Sequence, residues 1–199
     1  MVDYEQEWDN LLGIKTTGRD DTLADLTRYP YEPTDYRVLE RVASTGMIGK
    51  RNTLLDYGCG KGRVSFFLSS QTKCRSVGIE YNPRLLERAK LNQENSPHGH
   101  LVTFVQADAA DFIVPPTADR AFFFNPFSVN ILRQVMANLF ISCKENPREI
   151  FLFFYYPSEF YLNYLATIPR LTLKDSIDCH TNKDSDPREK LMIYETTGY

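Results

Sequence analysis

The residues best placed to do chemistry lie at 54–63, Leu-Leu-Asp-Tyr-Gly-Cys-Gly-Lys-Gly-Arg. An apolar strand ends in Asp56, glycines follow at 58, 60 and 62, and a helical pattern begins near Arg63. Glycine has no Cβ, so the main chain there can approach a ligand closely, and the following helix offers free N–H groups. The spacing selects among ligands. A dinucleotide loop needs G-x-G-x-x-G, and its third glycine falls on Arg63. A phosphate loop needs G-x-x-x-x-G-K-[ST]; Gly46-Met47-Ile48-Gly49-Lys50-Arg51 has neither that length nor the final hydroxyl. Pyrophosphate is therefore not the natural ligand. Further along, Asn125-Pro126-Phe127 closes another apolar strand. The carboxyl ends of strands are where open α/β sheets hold their sites. No Ser-His or Cys-His pattern offers a nucleophile. His98-Gly99-His100 lies in a solvated turn, so no metal site is expected.

Together these residues resemble the class I S-adenosylmethionine-dependent methyltransferases over roughly residues 53–196. The resemblance implies S-adenosylmethionine as cofactor and S-adenosylhomocysteine as product. It implies that the loop from Asp56 to Gly62, with Gly58, Cys59 and Gly60, wraps the methionine and ribose. Glu80 ends the second strand, 24 residues after Asp56, where a carboxylate can accept both ribose hydroxyl protons. Tyr81 could stack on adenine. Asp108, beside Ala109, is the candidate for the adenine amino group, with Asp111 as the alternative. Asn125-Pro126-Phe127 resembles the [DN]-P-P-[FYW] signature of enzymes that methylate amino or amide nitrogens, except that Phe127 replaces the second proline. There the polar side chain and a proline-constrained carbonyl orient the target nitrogen, which makes these three the catalytic candidates, with Asn125 expected at the cofactor as well. Tyr31, Thr34 and Tyr36, set among Pro30 and Pro33, fit a lid or substrate segment, with a packing arm as the alternative.

The elements that must position these residues alternate from about residue 53 onward. Strands are expected at Leu54–Tyr57, Ser76–Glu80, Leu101–Gln106, Ala121–Phe124 and Ile150–Tyr156. Between them run helices with buried stripes: Val64, Phe67 and Leu68; Leu85, Leu86 and Ala89; and Leu132, Val135, Met136, Leu139, Phe140 and Cys143. Asn82-Pro83 and Ser128 read as helix starts. Phe160, Tyr161, Tyr164 and Leu165 suggest one more helix. Leu171–Ile177 and Leu191–Thr196 flank a polar stretch with Asn182, Asp184 and Asp186, which leaves an antiparallel hairpin. The expected fold is α/β: a three-layer Rossmann-like methyltransferase fold with a mostly parallel seven-stranded sheet and that C-terminal hairpin. Residues 1–52 stand apart as a helical cap or lid, with a helix at Tyr4–Leu12 and another capped by Thr34. Residues 53–199 form the cofactor-binding domain.

The 199 residues, 42% of them hydrophobic, are enough for one globular core. With 23 basic and 26 acidic residues the net charge is -3. That argues against a partner held by its phosphates, so a small-molecule or protein acceptor is expected before nucleic acid. Lys61, Arg63, Arg84 and Arg88 read as solvated charges. No apolar run approaches a membrane span, and no targeting segment is expected from the opening residues. Cys59, Cys74, Cys143 and Cys179 are scattered, which suggests reduced thiols in a cytoplasmic protein. The oligomeric state has no sequence signal. Two other functions share this architecture: an NAD(P)-dependent oxidoreductase, and a regulatory protein that binds the cofactor without turnover.

Overall fold

Apolar runs too short for helices build the strands. Leu54 and Leu55, Phe122 and Phe123, and Leu152 to Phe154 are all at most 1% exposed, as strands covered on both faces must be. A computed structural model describes residues 3–180 and 186–197. Two helices come first, α1 (Tyr4–Leu12) and α2 (Tyr36–Ser44). Then β1 (Thr53–Tyr57), α3 (Arg63–Thr72), β2 (Arg75–Glu80), α4 (Pro83–Asn95) and β3 (Val102–Gln106) alternate. They are followed by β4 (Arg120–Phe123), α5 (Val129–Glu145), β5 (Phe151–Tyr155) and α6 (Glu159–Leu165), and finally by β6 (Leu171–Asp178) and β7 (Lys190–Thr196).

The sheet order is β3-β2-β1-β4-β5-β7-β6. The first five strands are parallel; β7 runs antiparallel to β5, and β6 antiparallel to β7. This is the expected seven-stranded Rossmann-like sheet with its hairpin. Strand order reverses between β1 and β4, so a crevice opens above their carboxyl ends. Alternate residues feed two cores. Leu54, Phe122 and Phe153 pack with α1, α2 and α3. Leu55, Tyr57, Phe123 and Phe154 pack with α5 and α6. On that second face Tyr57, Phe123 and Phe154 are register partners across β1, β4 and β5. Their rings stack at 5.0 Å and 4.6 Å, nearly parallel. On the first face Trp8, the only tryptophan of the chain, packs on Tyr36 at 5.7 Å and edge-on to Phe67 at 4.9 Å.

Several local expectations need correction. Thr34 does not cap α2. Asp35 does, its carboxylate accepting the Arg37 N–H, while Thr34 is buried. Ser128 holds the cap position of α5, yet its buried hydroxyl makes no hydrogen bond. Leu101 belongs to a short 3-10 turn, and Phe124, Ile150 and Tyr156 lie just outside their strands. Asn82 caps α4 as expected, accepting from Arg84 N–H with Pro83 in the first turn. Asn182 and Asp184 lie outside the described residues. The N-terminal residues do not form a separate core: Leu12, Ile14, Val38, Leu39 and Val42 share one with Leu54, Phe66 and Phe67.

Candidate active site

The glycine loop turns over the carboxyl end of β1. Gly58, Gly60 and Gly62 all have positive φ (71°, 55° and 89°), a region glycine enters without penalty. Their close approaches are to the protein itself. A Cβ on Gly58 would stand 2.5 Å from the Pro126 ring, and one on Gly60 would stand 2.1 Å from the ring of Tyr31. Glu80, 8% exposed, braces the loop from the end of β2. It accepts the Gly60 N–H and the Asn82 N–H, each at 2.8 Å. Burial pushes its pKa up, and those backbone donors oppose the rise. Asp56, 2% exposed, accepts the Ser65 hydroxyl at 2.8 Å and the Ser65 N–H at 3.2 Å. Burial nevertheless pushes its carboxyl up to about 7, with a smaller contribution from the Glu80 charge.

The N-terminal segment is laid over this loop. Tyr31 lies against Gly60 and donates its hydroxyl to the Thr16 carbonyl at 2.6 Å; burial pushes its pKa up. Asp20 and Tyr31 exchange backbone hydrogen bonds, which closes the chain between them into a loop. Two further backbone bonds tie that loop to the end of β4: Tyr29 N–H to the Pro126 carbonyl at 3.1 Å, and Ser128 N–H to the Thr27 carbonyl at 2.7 Å. Arg28 crosses the gap. Its guanidinium ion-pairs with Asp108 and sits 4.1 Å from the centre of the Tyr81 ring. Asp108 also accepts the Ala110 N–H at 3.0 Å. Arg63 is no solvated charge: it is 2% exposed. It pairs with Glu5, donates to the Thr34 carbonyl at 3.0 Å and to the Thr16 hydroxyl at 2.7 Å, and lies 3.6 Å from Asp9. Asp9 in turn accepts from the Tyr36 hydroxyl at 2.6 Å.

A cavity of about 1000 Å³, open solvent included, lies between this segment and the carboxyl ends of β1, β2 and β4. It gathers Asp56, Gly58, Cys59, Glu80, Tyr81, Asp108, Ala109, Pro126 and Phe127 with Tyr31 and Thr34. Burial pushes the Cys59 thiol well up. Three expected site residues lie elsewhere. Gly60 is covered by Tyr31. Tyr36 is a fully buried core residue. Asn125 lines a second cavity with Tyr155, Tyr156 and Glu189. The two cavities share Tyr29, Pro30, Glu32 and Phe124. Asn125 has φ 41°, and its buried Oδ1 has no hydrogen-bond partner. The Pro126 carbonyl, expected to face a substrate, is engaged by Tyr29, while the Tyr161 hydroxyl pins the Phe127 carbonyl at 2.6 Å.

The charges around the first cavity decide what fits. Five acids line it (Asp20, Glu32, Asp56, Glu80 and Asp108) against two bases, Arg28 and Arg63, which are both ion-paired. Tyrosine rings complete the wall. Acidic groups and aromatic faces suit a cation and repel a pyrophosphate. The residues present therefore fit a sulfonium cofactor. Arg28 and Arg63 were missed as site residues. Arg63 stands where a dinucleotide loop has glycine, and that departure was the available signal.

Residues 54–146 match the family described as methyltransferase domain. No curated protein matches the chain. Among solved structures, the chain is similar to an RNA methyltransferase from Salinibacter ruber in complex with S-adenosyl-L-homocysteine. That likeness has 20% identity and a TM-score of 0.56, and covers 83% of this chain and 92% of the other. A precorrin-6y C5,15-methyltransferase from Geobacter metallireducens is 17% identical with a TM-score of 0.58, covering 84% of this chain and 90% of the other. TrmK from M. capricolum, in complex with S-adenosyl-homocysteine, is 13% identical with a TM-score of 0.57, covering 83% and 69%. The fold and the matched segment together define the class: a methyltransferase-domain pattern over residues 54–146, set in a Rossmann-like sheet of the kind these structures share.

Proposed function

We propose that this chain binds S-adenosylmethionine in the acid-lined cavity and methylates a nitrogen on a small-molecule acceptor. The observation that carries the reading is the excess of carboxylates and tyrosine rings over a glycine loop that lacks a phosphate pattern. Glu80 would take the ribose hydroxyls, Asp56 and the loop the amino-acid end, and Tyr81 and Asp108 the adenine. When bound, the cofactor supplies an electrophilic methyl group on a sulfonium. The protein's part is to orient, to exclude water and to keep negative charge near the cation. The segment from Asp20 to Thr34 acts as the lid, since it walls the cavity and is hydrogen-bonded to the loop after β4. Asn125, with its unpaired oxygen, orients the acceptor nitrogen. A protein acceptor is the alternative. The acidic rim disfavours a nucleic-acid acceptor, although similar folds include an RNA methyltransferase and a 23S rRNA methyltransferase. Buried thiols at Cys59, Cys74 and Cys179 suit a reducing cytoplasm. No helix among the described residues is long and apolar enough to cross a membrane.

Calorimetry with S-adenosylhomocysteine tests the cofactor assignment. Glu80→Gln weakens binding by about tenfold or more, the scale of one lost charge-assisted hydrogen bond. Unchanged affinity in a folded variant would sink the ribose role. Transfer of a labelled methyl group to small molecules of a cell extract then tests turnover.

A further inference from the structure

We infer that Arg28 plugs the adenine subsite, so that cofactor entry must first release the lid from that wall of the cavity. The inference rests on the methyltransferase reading above and adds how access to the site is controlled. Two groups carry the proposed adenine recognition, the Tyr81 ring and the Asp108 carboxylate. One guanidinium engages both. Arg28 Cζ lies 4.1 Å from the centre of the Tyr81 ring, and Arg28 Nη2 donates to Asp108 Oδ2. A purine would use the same pair in the same way, with a flat face on the ring and an exocyclic N–H on the carboxylate. Guanidinium is planar and rich in N–H donors, so it meets both demands and adds a charge. Asp108 has no oxygen to spare: Oδ1 accepts the Ala110 N–H at 3.0 Å, and Oδ2 is the one that Arg28 takes. Arg28, Tyr81 and Asp108 all line the larger cavity.

The loop itself builds the plug. Asp25 Oδ1 accepts the N–H groups of Thr27 and Arg28 at 2.6 Å and 2.8 Å, and the Thr27 hydroxyl at 2.6 Å. The Asp25 N–H donates in return to the Arg28 carbonyl at 2.8 Å. Arg28 therefore leaves a closed turn, and its side chain runs between two carboxylates, since Asp25 Oδ2 stands 3.6 Å from Nη1. The backbone on either side is fastened to the opposite wall. The Thr27 carbonyl accepts the Ser128 N–H, and the Tyr29 N–H donates to the Pro126 carbonyl. Arg28 thus spans the mouth of the cavity, from the loop after β4 to the ends of β2 and β3. An adenine that reaches Tyr81 and Asp108 displaces the guanidinium and leaves the lid held on the β4 side. Apparent affinity for the cofactor is reduced by the fraction of molecules in which Arg28 is docked.

Calorimetry on the full chain tests this with two ligands: S-adenosylhomocysteine, and adenosine, which has the adenine and ribose alone. Arg28→Ala tightens both by about fivefold, and by the same factor, because the plug meets only the part they share. Arg28→Lys keeps the charge without the plane and falls between parent and alanine variant. Simple damage to the loop would not tighten either ligand. A second readout follows the lid. Leu26, 94% exposed near its tip, is a site for chymotrypsin. Ligands commonly slow proteolysis by stabilising the fold. Here S-adenosylhomocysteine speeds cleavage after Leu26 in the parent chain by about threefold, because it removes one hold on the loop. Arg28→Ala is cleaved at the faster rate with or without it. Three results overturn the inference alone, each with the parent chain still binding S-adenosylhomocysteine. They are an unchanged or weaker affinity in Arg28→Ala, a gain for S-adenosylhomocysteine with none for adenosine, or protection of the Leu26 site by the ligand. If neither parent nor variant binds S-adenosylhomocysteine, the cofactor reading falls and this inference falls with it.

Discussion

Burial raises the Asp56 carboxyl from the usual 3.8 to about 7, which brings its ionisation close to neutral pH. A cation in the cavity interacts better with the ionised form. Affinity for S-adenosylmethionine therefore rises as pH climbs through 7, while the neutral thioether product shows a weaker dependence. Calorimetry of both ligands at pH 6 and pH 8 reads the difference, and Asp56→Asn flattens it. The same group acts on stability with a definite sign. Between 3.8 and about 7 the folded state holds a proton that the unfolded state has released. This contribution to stability is complete below 3.8 and is lost as pH rises through 7. Urea midpoints compared at pH 5 and pH 8 will show Asp56→Asn gaining on the parent chain at the higher pH. Ser65 softens the effect, since its two donors favour the charged carboxylate.

At the scale of elements, the turn from β1 into α3 is the joint on which the site depends. Arg63 at the start of α3 reaches back to Glu5, Thr16 and Thr34, and so clamps the N-terminal segment to the glycine loop. Replacing it by alanine leaves Asp9 and the partly buried Glu5 without their cation. Loss of one partner of a buried pair costs about 3–5 kcal/mol, and equilibrium unfolding in urea will register that loss for Arg63→Ala. Gly60→Ala has a different signature. It forces a Cβ into the Tyr31 ring and holds alanine at φ 55°, so the segment lifts and its loop is cleaved sooner by a protease. This joint also shows where legibility ends. The strand, the glycine turn and the helix start could be read because each obeys a local rule of period or spacing. The burial of Arg63 could not be read, because its partners lie 29 to 58 residues away and leave no periodic trace. Asn125-Pro126 was recognisable as a strand-end motif. Its opening into a second cavity depends on where β5 and Tyr29 sit, and no spacing records that.

Across the whole molecule, the boundary drawn near residue 52 divides a core that packs as one. Leu12, Ile14, Val38, Leu39 and Val42 cover Phe66, Phe67 and Leu54. A fragment of residues 53–199 exposes that face. It will bind a hydrophobic dye and unfold without the parent's cooperative transition, as dye fluorescence and a thermal melt will show. Cap and sheet looked separable because their composition and rhythm differ, and rhythm reports secondary structure without reporting which faces meet. The sheet itself was legible to its topology: alternating strands and helices admit few right-handed arrangements, and the helix-free tail leaves only a hairpin.

One tryptophan serves this entire architecture, and it lies on α1, stacked on Tyr36 and set edge-on against Phe67. Intrinsic fluorescence excited at the red edge therefore reports a single address: the seam between the amino-terminal helix and the sheet's covering layer. Lifting of that helix will change the emission while the sheet's circular dichroism stays constant. The chain thus carries its own optical gauge of cap docking, and a cofactor titration can follow it without any added label.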